Sequence, residues 1–423
     1  MKLLFVVQNY FPSVGGTQIF FQNLAEKCTA VYKDEVHVFT TNSYYGPEKK
    51  YFKKAGPDKE VINNVNISRF GFIRFHLYFS GVLKKIFYKV FNSLPDFFLK
   101  YLYGPWSPSL IKAMNDSDAD IVMAGTSDYL YMHYPLYRHN YKNPKPFVFQ
   151  GAIHFMEDES RKVISATTLE AIKKSDCYIA NTYYEKERLI KLGVDAETIA
   201  VAGSSVDMDL FKNGNRNYYR DLFKLKETDI LLGYIGRIEA TKNLDVLLAA
   251  FELISHSVGN IHLVIAGYTN STYAKVIEKN IASLRKRSNI NIHTVYSLSE
   301  TEKVNLYHAL DIFISPSVNE SFGMVFLEAW CCRKPVIAMS TGAIRSVIND
   351  GIDGLLCMPC NAGTLATKTM VLVHNERLRR SMGENGYQKT EDNYTWDIIA
   401  KKYRDTLIKA KEKFDVQRRS PMD

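Results

Sequence analysis

Short apolar runs, broken by polar segments that carry glycine, recur along the chain and twice open a strand–loop–helix series. In the first half, Leu3–Val7, Glu35–Thr41, Ala119–Ala124, Pro146–Gln150 and Cys177–Asn181 read as strands. The second half restarts with Ile230–Gly236, Ile261–Gly267, Asp311–Ser315, Pro335–Ala338 and the strand-like Gly354–Cys357. Runs this short and this apolar fit parallel strands buried on both faces. Between them, Thr17–Cys28, Tyr184–Leu192, Asn243–Ser255 and Met324–Cys331 read as helices, and Trp396–Phe414 as a basic amphipathic helix followed by a frayed tail. Strands alternating with helices predict an α/β chain, whose ligands gather at the carboxyl ends of the strands.

With 423 residues the chain is long for one core, so two domains are expected. Hydrophobic residues at 46% and charged residues at 23% fit a soluble globular protein. Met1–Val7 reads as a first strand rather than a signal peptide, because Gln8-Asn9 follows at once. No uninterrupted apolar run reaches the roughly eighteen residues of a membrane span. The six cysteines are too sparse for a disulfide scaffold and read as reduced thiols. Cys357-Met-Pro-Cys360 lacks the partner pair that a metal site needs. The net charge of +9 points to an anionic substrate or membrane surface, since no nucleic-acid motif is visible.

Candidate chemistry sits in the loops after the strands. Gly15-Gly16 lies between a strand and a helix, where a phosphate loop or only a tight turn would place it. His154 stands just past Pro146–Gln150, and a lone histidine there is usually structural. Arg237 and Lys242 follow Ile230–Gly236; two cations so placed bracket a diphosphate, or are plain surface residues. After Asp311–Ser315 come Glu320, in a loop, and Glu328, in a helix. Between them, the amides of Phe322, Gly323, Met324 and Val325 open that helix and suit phosphate or sugar oxygens. Taken alone, the two glutamates read as a solvated loop residue and a helix-surface residue.

The surrounding pattern changes that reading. Pro-Ser-x-x-Glu320-x-Phe-Gly-x-x-x-x-Glu328-Ala, followed by Pro-Val-Ile-Ala338, closely resembles the nucleotide-sugar motif of family-four retaining glycosyltransferases of the GT-B fold. Gly236-Arg-x-x-x-x-Lys-Asn243 is similar to that family's Gly-Arg-x-x-x-x-Lys-Gly, Pro12-x-x-Gly-Gly16 to its first loop, and Ser205–Phe211 to its interdomain crossing. The resemblance implies two Rossmann-like domains facing a cleft, with a last helix crossing back to the first domain. Its domains would be 1–205 on the acceptor side, 206–395 for the nucleotide sugar, 396–415 as the returning helix and 416–423 as a tail. It assigns Glu320 to the transferred sugar, Glu328 to the ribose and Arg237 and Lys242 to the diphosphate. His154 would face the sugar, and the 297–300 loop with Leu298 would meet the base. Neither a cofactor nor a metal is implied, and no Asp-x-Asp pair stands at a matching strand end. Two departures reshape the mouth: Gly267-Tyr-Thr-Asn-Ser replaces a Gly-Asp-Gly turn, and Ser346 replaces an acid, with Arg345 adding charge.

Residues 70–105 stand apart. Aromatic and aliphatic residues crowd there, interleaved with Arg74, Lys84, Lys85, Lys89 and Lys100 against one acid, Asp96. From Val82 to Phe91 the spacing predicts a basic amphipathic helix, either packed on its own domain or lying on an anionic membrane. The expected activity is transfer of a sugar, with retained configuration, from a nucleoside-diphosphate donor to a glycan or lipid-linked acceptor, in surface polysaccharide or glycolipid synthesis. The expected place is the cytoplasm, with a peripheral contact at the inner membrane face and no nucleic-acid partner. An epimerase or phosphorylase of the same fold, and a non-catalytic nucleotide-sugar binder, are the alternatives.

Overall fold

A computed structural model describes residues 1–13, 15–44, 55–72, 86, 107–125, 130–156, 163–268, 272–288 and 290–419. The chain forms two compact units: Met1–His154, Asp158–Gly203 and Trp396–Asp423 in one, Phe155–Glu157 and Ser204–Thr395 in the other. The expected basic helix between Val82 and Phe91, and with it Arg74 to Lys100, lies outside the described residues apart from Ile86. So do residues 269–271 of the departing turn.

The first unit holds β1 (Lys2–Val7), β2 (Glu35–Thr41), β3 (Lys59–Ile62), β4 (Val65–Phe70), β5 (Ile121–Gly125), β6 (Phe147–Gln150), β7 (Cys177–Ala180) and β8 (Ile199–Val201). They form one sheet in the order β3-β4-β2-β1-β5-β6-β7-β8, parallel except for β3 against β4. The apolar runs become its central strands because both faces are covered: β5, β6 and β7 are buried along their whole length. The β3–β4 hairpin was not expected from the apolar pattern, because the edge strand β3 opens with Lys59 and Glu60 and β4 sets Asn66, Ser68 and Arg69 among its apolar residues. Its signal is the turn: Asn63 and Asn64 both take positive φ, 48° and 63°, the two-residue geometry that matches strand twist.

Helix α1 (Gly16–Tyr32) follows β1 and packs against the C-terminal helix (Trp396–Arg419). Phe20 meets Trp396 at 5.6 Å and Tyr403 at 5.0 Å between ring centroids. Arg404 forks onto the buried Asp34 carboxylate at 2.7 and 3.1 Å. This helix runs past Phe414, where a tail was expected, to Arg419. Phe414 is buried with the Arg138 guanidinium 5.1 Å from its ring centroid, and Lys411 pairs with Asp415 one turn on. Beyond the expected end, the Arg418 guanidinium comes back to 5.9 Å from the Phe414 ring centroid, one helical turn on.

The second unit holds β9 (Ile230–Ile235), β10 (Ile261–Gly267), β11 (Ile292–Tyr296), β12 (Ile312–Ser315), β13 (Val336–Met339) and β14 (Gly354–Cys357). All pair in parallel, in the order β11-β10-β9-β12-β13-β14. Successive β9 residues feed opposite cores: Leu232 and Tyr234 join one cluster, Leu231 and Ile235 the other. The chain leaves β9 toward β10 on one side and returns as β12 on the other. The carboxyl ends of β9 and β12 therefore flank a topological switch point, the place where sheets of this kind bind ligands. Around them lie α2 (Leu244–Ser255), α3 (Glu300–Ala309) and α4 (Met324–Cys331). Among the described residues no helix is long and apolar enough to cross a membrane.

Candidate active site at the β9–β12 switch point

The exit of β9 is built to hold a loop open. Gly236 N donates to Ala266 O at 3.0 Å, and the buried Tyr234 hydroxyl donates to Arg237 O at 2.7 Å. Burial first, and the Glu320 charge second, push that phenol well above its ordinary pKa, so it remains a donor. A 3-10 turn over Ala240–Lys242 then leads to Asn243, which caps α2 in the left-handed region at φ 48°. The related pattern has glycine here; asparagine is among the few side chains that take this conformation readily. Its Nδ2 donates to Pro316 O at 3.4 Å, tying the β9 loop to the β12 loop.

That tie brings the two halves of the predicted site together. Lys242 Nζ lies 2.5 Å from Glu320 Oε1, across 78 residues of chain, and each side chain is 12% exposed. Arg237 is different: its side chain is 59% exposed and pairs with Glu239 at 3.2 Å. The guanidinium is thus held near the switch point but open to solvent. From the β13 side, Thr341 Oγ1 donates to Val318 O at 3.2 Å and steadies the loop that carries Glu320. Asn319 Oδ1, next to Glu320, is buried without a hydrogen-bond partner among the described residues.

The loop becomes α4 through Gly323, at φ 95° and ψ 62°. A Cβ there would lie 2.2 Å from the ring of Phe326, which is wholly buried. Only glycine fits, and it aims the Met324 and Val325 amides out of the first turn, where no acceptor exists within the helix. Phe322 packs its ring against Tyr394 at 5.4 Å, so only its backbone faces the loop. Glu328, further along α4, does not meet Lys242. Its carboxylate accepts from Lys303 Nζ at 3.1 Å and Tyr307 Oη at 2.7 Å, both from α3. Leu298, just before α3, is half-buried and packs on the cluster around Phe211 and Tyr307.

In the first unit, Gly15 is the N-cap of α1 in extended backbone, and Gly16 begins that helix. His154 is exposed in the loop after β6, whose preceding residue, Ile153, donates its amide to the buried Glu185 at 2.9 Å. Arg345 is exposed on the short helix Ile344–Val347. Cys357 is buried and Cys360 exposed, both as free thiols. No group of three His, Cys, Asp or Glu among the described residues is arranged to hold a metal. Sequence reasoning missed Glu239, Lys303 and Tyr307. The last two stand four apart on a helix, a spacing that puts them on one face but does not name their partner.

Residues 216–389 match the family model described as glycosyl transferases group 1. The D-inositol 3-phosphate glycosyltransferase 2 of Catenulispora acidiphila is 30% identical over 239 residues, 55% of this chain and 55% of that protein. The capsular polysaccharide biosynthesis glycosyltransferase CapM of Staphylococcus aureus is 28% identical over 48% of this chain and 52% of its own length. The chain thus matches about half the length of these curated relatives. Among solved structures, Anabaena HepE in complex with UDP-glucose superposes with a TM-score of 0.71 over 97% of this chain and 100% of that one, at 17% identity. Such neighbours establish the fold of the chain as GT-B. Residues 216–389 belong to the glycosyl transferases group 1 family.

Proposed function

We propose that this protein transfers a sugar from a nucleoside-diphosphate donor, with retention at the anomeric carbon, to a glycan or lipid-linked acceptor. The observation that carries this reading is the Lys242–Glu320 contact at the ends of β9 and β12. As the bond from sugar to phosphate breaks, negative charge grows on the diphosphate and positive charge on the sugar. Lys242, Arg237 and the α4 amides are the donors available to the leaving diphosphate, and Glu320 is the carboxylate available to the sugar hydroxyls. The cations supply the charge that a divalent metal would otherwise bring, so we propose a metal-independent reaction. His154 keeps the sugar-recognition role that the family resemblance implies. HepE was crystallised with UDP-glucose, which makes uridine-diphosphate sugars the first donors to try.

The test is release of nucleoside diphosphate from a panel of UDP-, GDP- and ADP-sugars. We expect one of them to be turned over, slowly with water and faster with an added glycan or lipid-linked acceptor. If no donor releases more product than it does with the Arg237→Ala/Lys242→Ala double variant, the transferase reading falls.

The basic aromatic sequence from Arg74 to Lys100 supports an anionic membrane as the place of work. Each lysine near such a surface contributes about 1 kcal/mol, weakened by salt. The protein should therefore pellet with phosphatidylserine-rich vesicles at low salt. Replacing Lys84, Lys85 and Lys89 by glutamate should abolish pelleting while leaving donor hydrolysis intact. Wild-type protein that stays in the supernatant would instead favour a soluble glycan acceptor.

A further inference from the structure

Glu328 is held by a frame that begins well upstream in the sequence. Ser299 caps α3 through a reciprocal capping box with Glu302, which fixes where the helix starts. Lys303 and Tyr307 then stand one turn apart on the face that meets α4. Tyr307 is fully buried and places its hydroxyl 2.7 Å from Glu328 Oε2, while Lys303 Nζ lies 3.1 Å from Oε1. Each carboxylate oxygen is thus assigned its own donor, so the plane of the carboxylate is set. Phe211 backs both donors: its ring meets Tyr307 edge-on at 5.8 Å, and Lys303 Nζ lies 5.6 Å from its centroid.

Charge agrees with this geometry. Burial of Lys303 works against its ammonium, and the Glu328 and Glu300 carboxylates outweigh it, so its pKa is raised. Burial, and then the Glu328 charge, hold the Tyr307 phenol well above its ordinary value. Both groups thus remain protonated donors across the neutral range. A carboxylate with one donor on each oxygen keeps its other lone pairs free to accept from a vicinal diol.

We infer that Lys303 and Tyr307 are positioning residues that orient the Glu328 carboxylate toward the ribose diol of the donor nucleotide. This rests on the donor-site reading proposed above. A merely structural pair would stabilise the α3–α4 contact without affecting how the site tells ribose from its deoxy forms, and that difference is measurable.

The experiment is calorimetric titration of wild type, Tyr307→Phe, Lys303→Met and Glu328→Gln with UDP, GDP and ADP and with their 2′,3′-dideoxy forms, beside melting curves for each variant. Wild type should prefer the ribose form of its nucleotide. Loss of one charge-assisted hydrogen bond should cut that preference about tenfold in Tyr307→Phe, while the dideoxy nucleotide binds as it does to wild type. Lys303→Met should act in the same direction, and Glu328→Gln should remove most of the preference. The inference is overturned if Tyr307→Phe and Lys303→Met lower the melting temperature yet keep the wild-type preference, or weaken both nucleotide forms equally. If Glu328→Gln itself keeps the preference, or wild type binds none of the nucleotides, the donor-site reading has failed first, and this inference falls with it.

Discussion

Arg237→Ala and Lys242→Ala should each lower turnover of the preferred nucleotide sugar by on the order of a hundredfold or more, as removal of a preorganised charge at a leaving group does. The two variants should nevertheless differ in the folded protein. The Arg237 guanidinium is mostly exposed and pairs only with Glu239 among the described residues, and exposed pairs contribute roughly 0–1 kcal/mol. Its alanine variant should melt like wild type, so the lost turnover reports chemistry alone. Lys242 is largely buried against Glu320. Removing it strands a carboxylate with little access to water, at a penalty of roughly 1–3 kcal/mol. Lys242→Ala should therefore also melt earlier, and adding Glu320→Gln should restore much of the melting temperature but none of the turnover. A double variant, Arg237→Ala/Lys242→Ala, that keeps near-wild-type release of nucleoside diphosphate would remove this site from the reaction.

The same pair marks how far the sequence could be read. Strands and helices were legible because burial writes itself into the chain as a period. Met324–Cys331 is helical between the bounds its pattern predicts, and β9, β10, β12 and β13 fall on the apolar runs. The β3–β4 hairpin escaped because the edge strand β3 buries no side chain fully and β4 buries Ser68 and Arg69 beside Val65 and Ile67, leaving Asn63-Asn64 as its mark. The C-terminal helix outran its expected end to Arg419, where Arg418 donates to Pro144 O at 3.5 Å, a partner that lies far away in the chain.

Site residues divide along the same line. Glu320, Arg237 and Lys242 could be named from motif spacing, but nothing in that spacing says that Lys242 meets Glu320 while Arg237 turns to Glu239. Glu328 was named without its two donors, since Lys303 and Tyr307 lie 25 and 21 residues away on a different helix. Periodicity reports which face of an element is buried. The partner of a buried polar group depends on how two elements cross, and that is a property of the packed domain.

Gly323→Ala should damage the donor side of the second unit with a single methyl group. Two separate penalties meet at this position. Backbone at φ 95° strains any side chain by roughly 1–3 kcal/mol. The added Cβ would also lie 2.2 Å from a Phe326 ring that is wholly buried and has no room to swing away. Overpacking of this kind adds a further 1–3 kcal/mol, roughly. Gly351 in the same unit separates the two, because it has φ 82° and, among the described residues, nothing lies within 4 Å of where a Cβ would stand. Gly351→Ala thus carries strain without a clash. Gly323→Ala should melt several degrees below it, since a domain of this size loses about 2–4 °C per kcal/mol. Relief of the clash requires the start of α4 to shift, which would carry the Met324 and Val325 amides away from the diphosphate position proposed for them. Nucleoside-diphosphate affinity should therefore fall by about tenfold or more in Gly323→Ala, the loss of one charge-assisted hydrogen bond or more, and stay at the wild-type value in Gly351→Ala. Equal melting temperatures and equal affinities in the two variants would mean that the Phe326 contact does not set where this helix begins, and that its amides are not the diphosphate's donors.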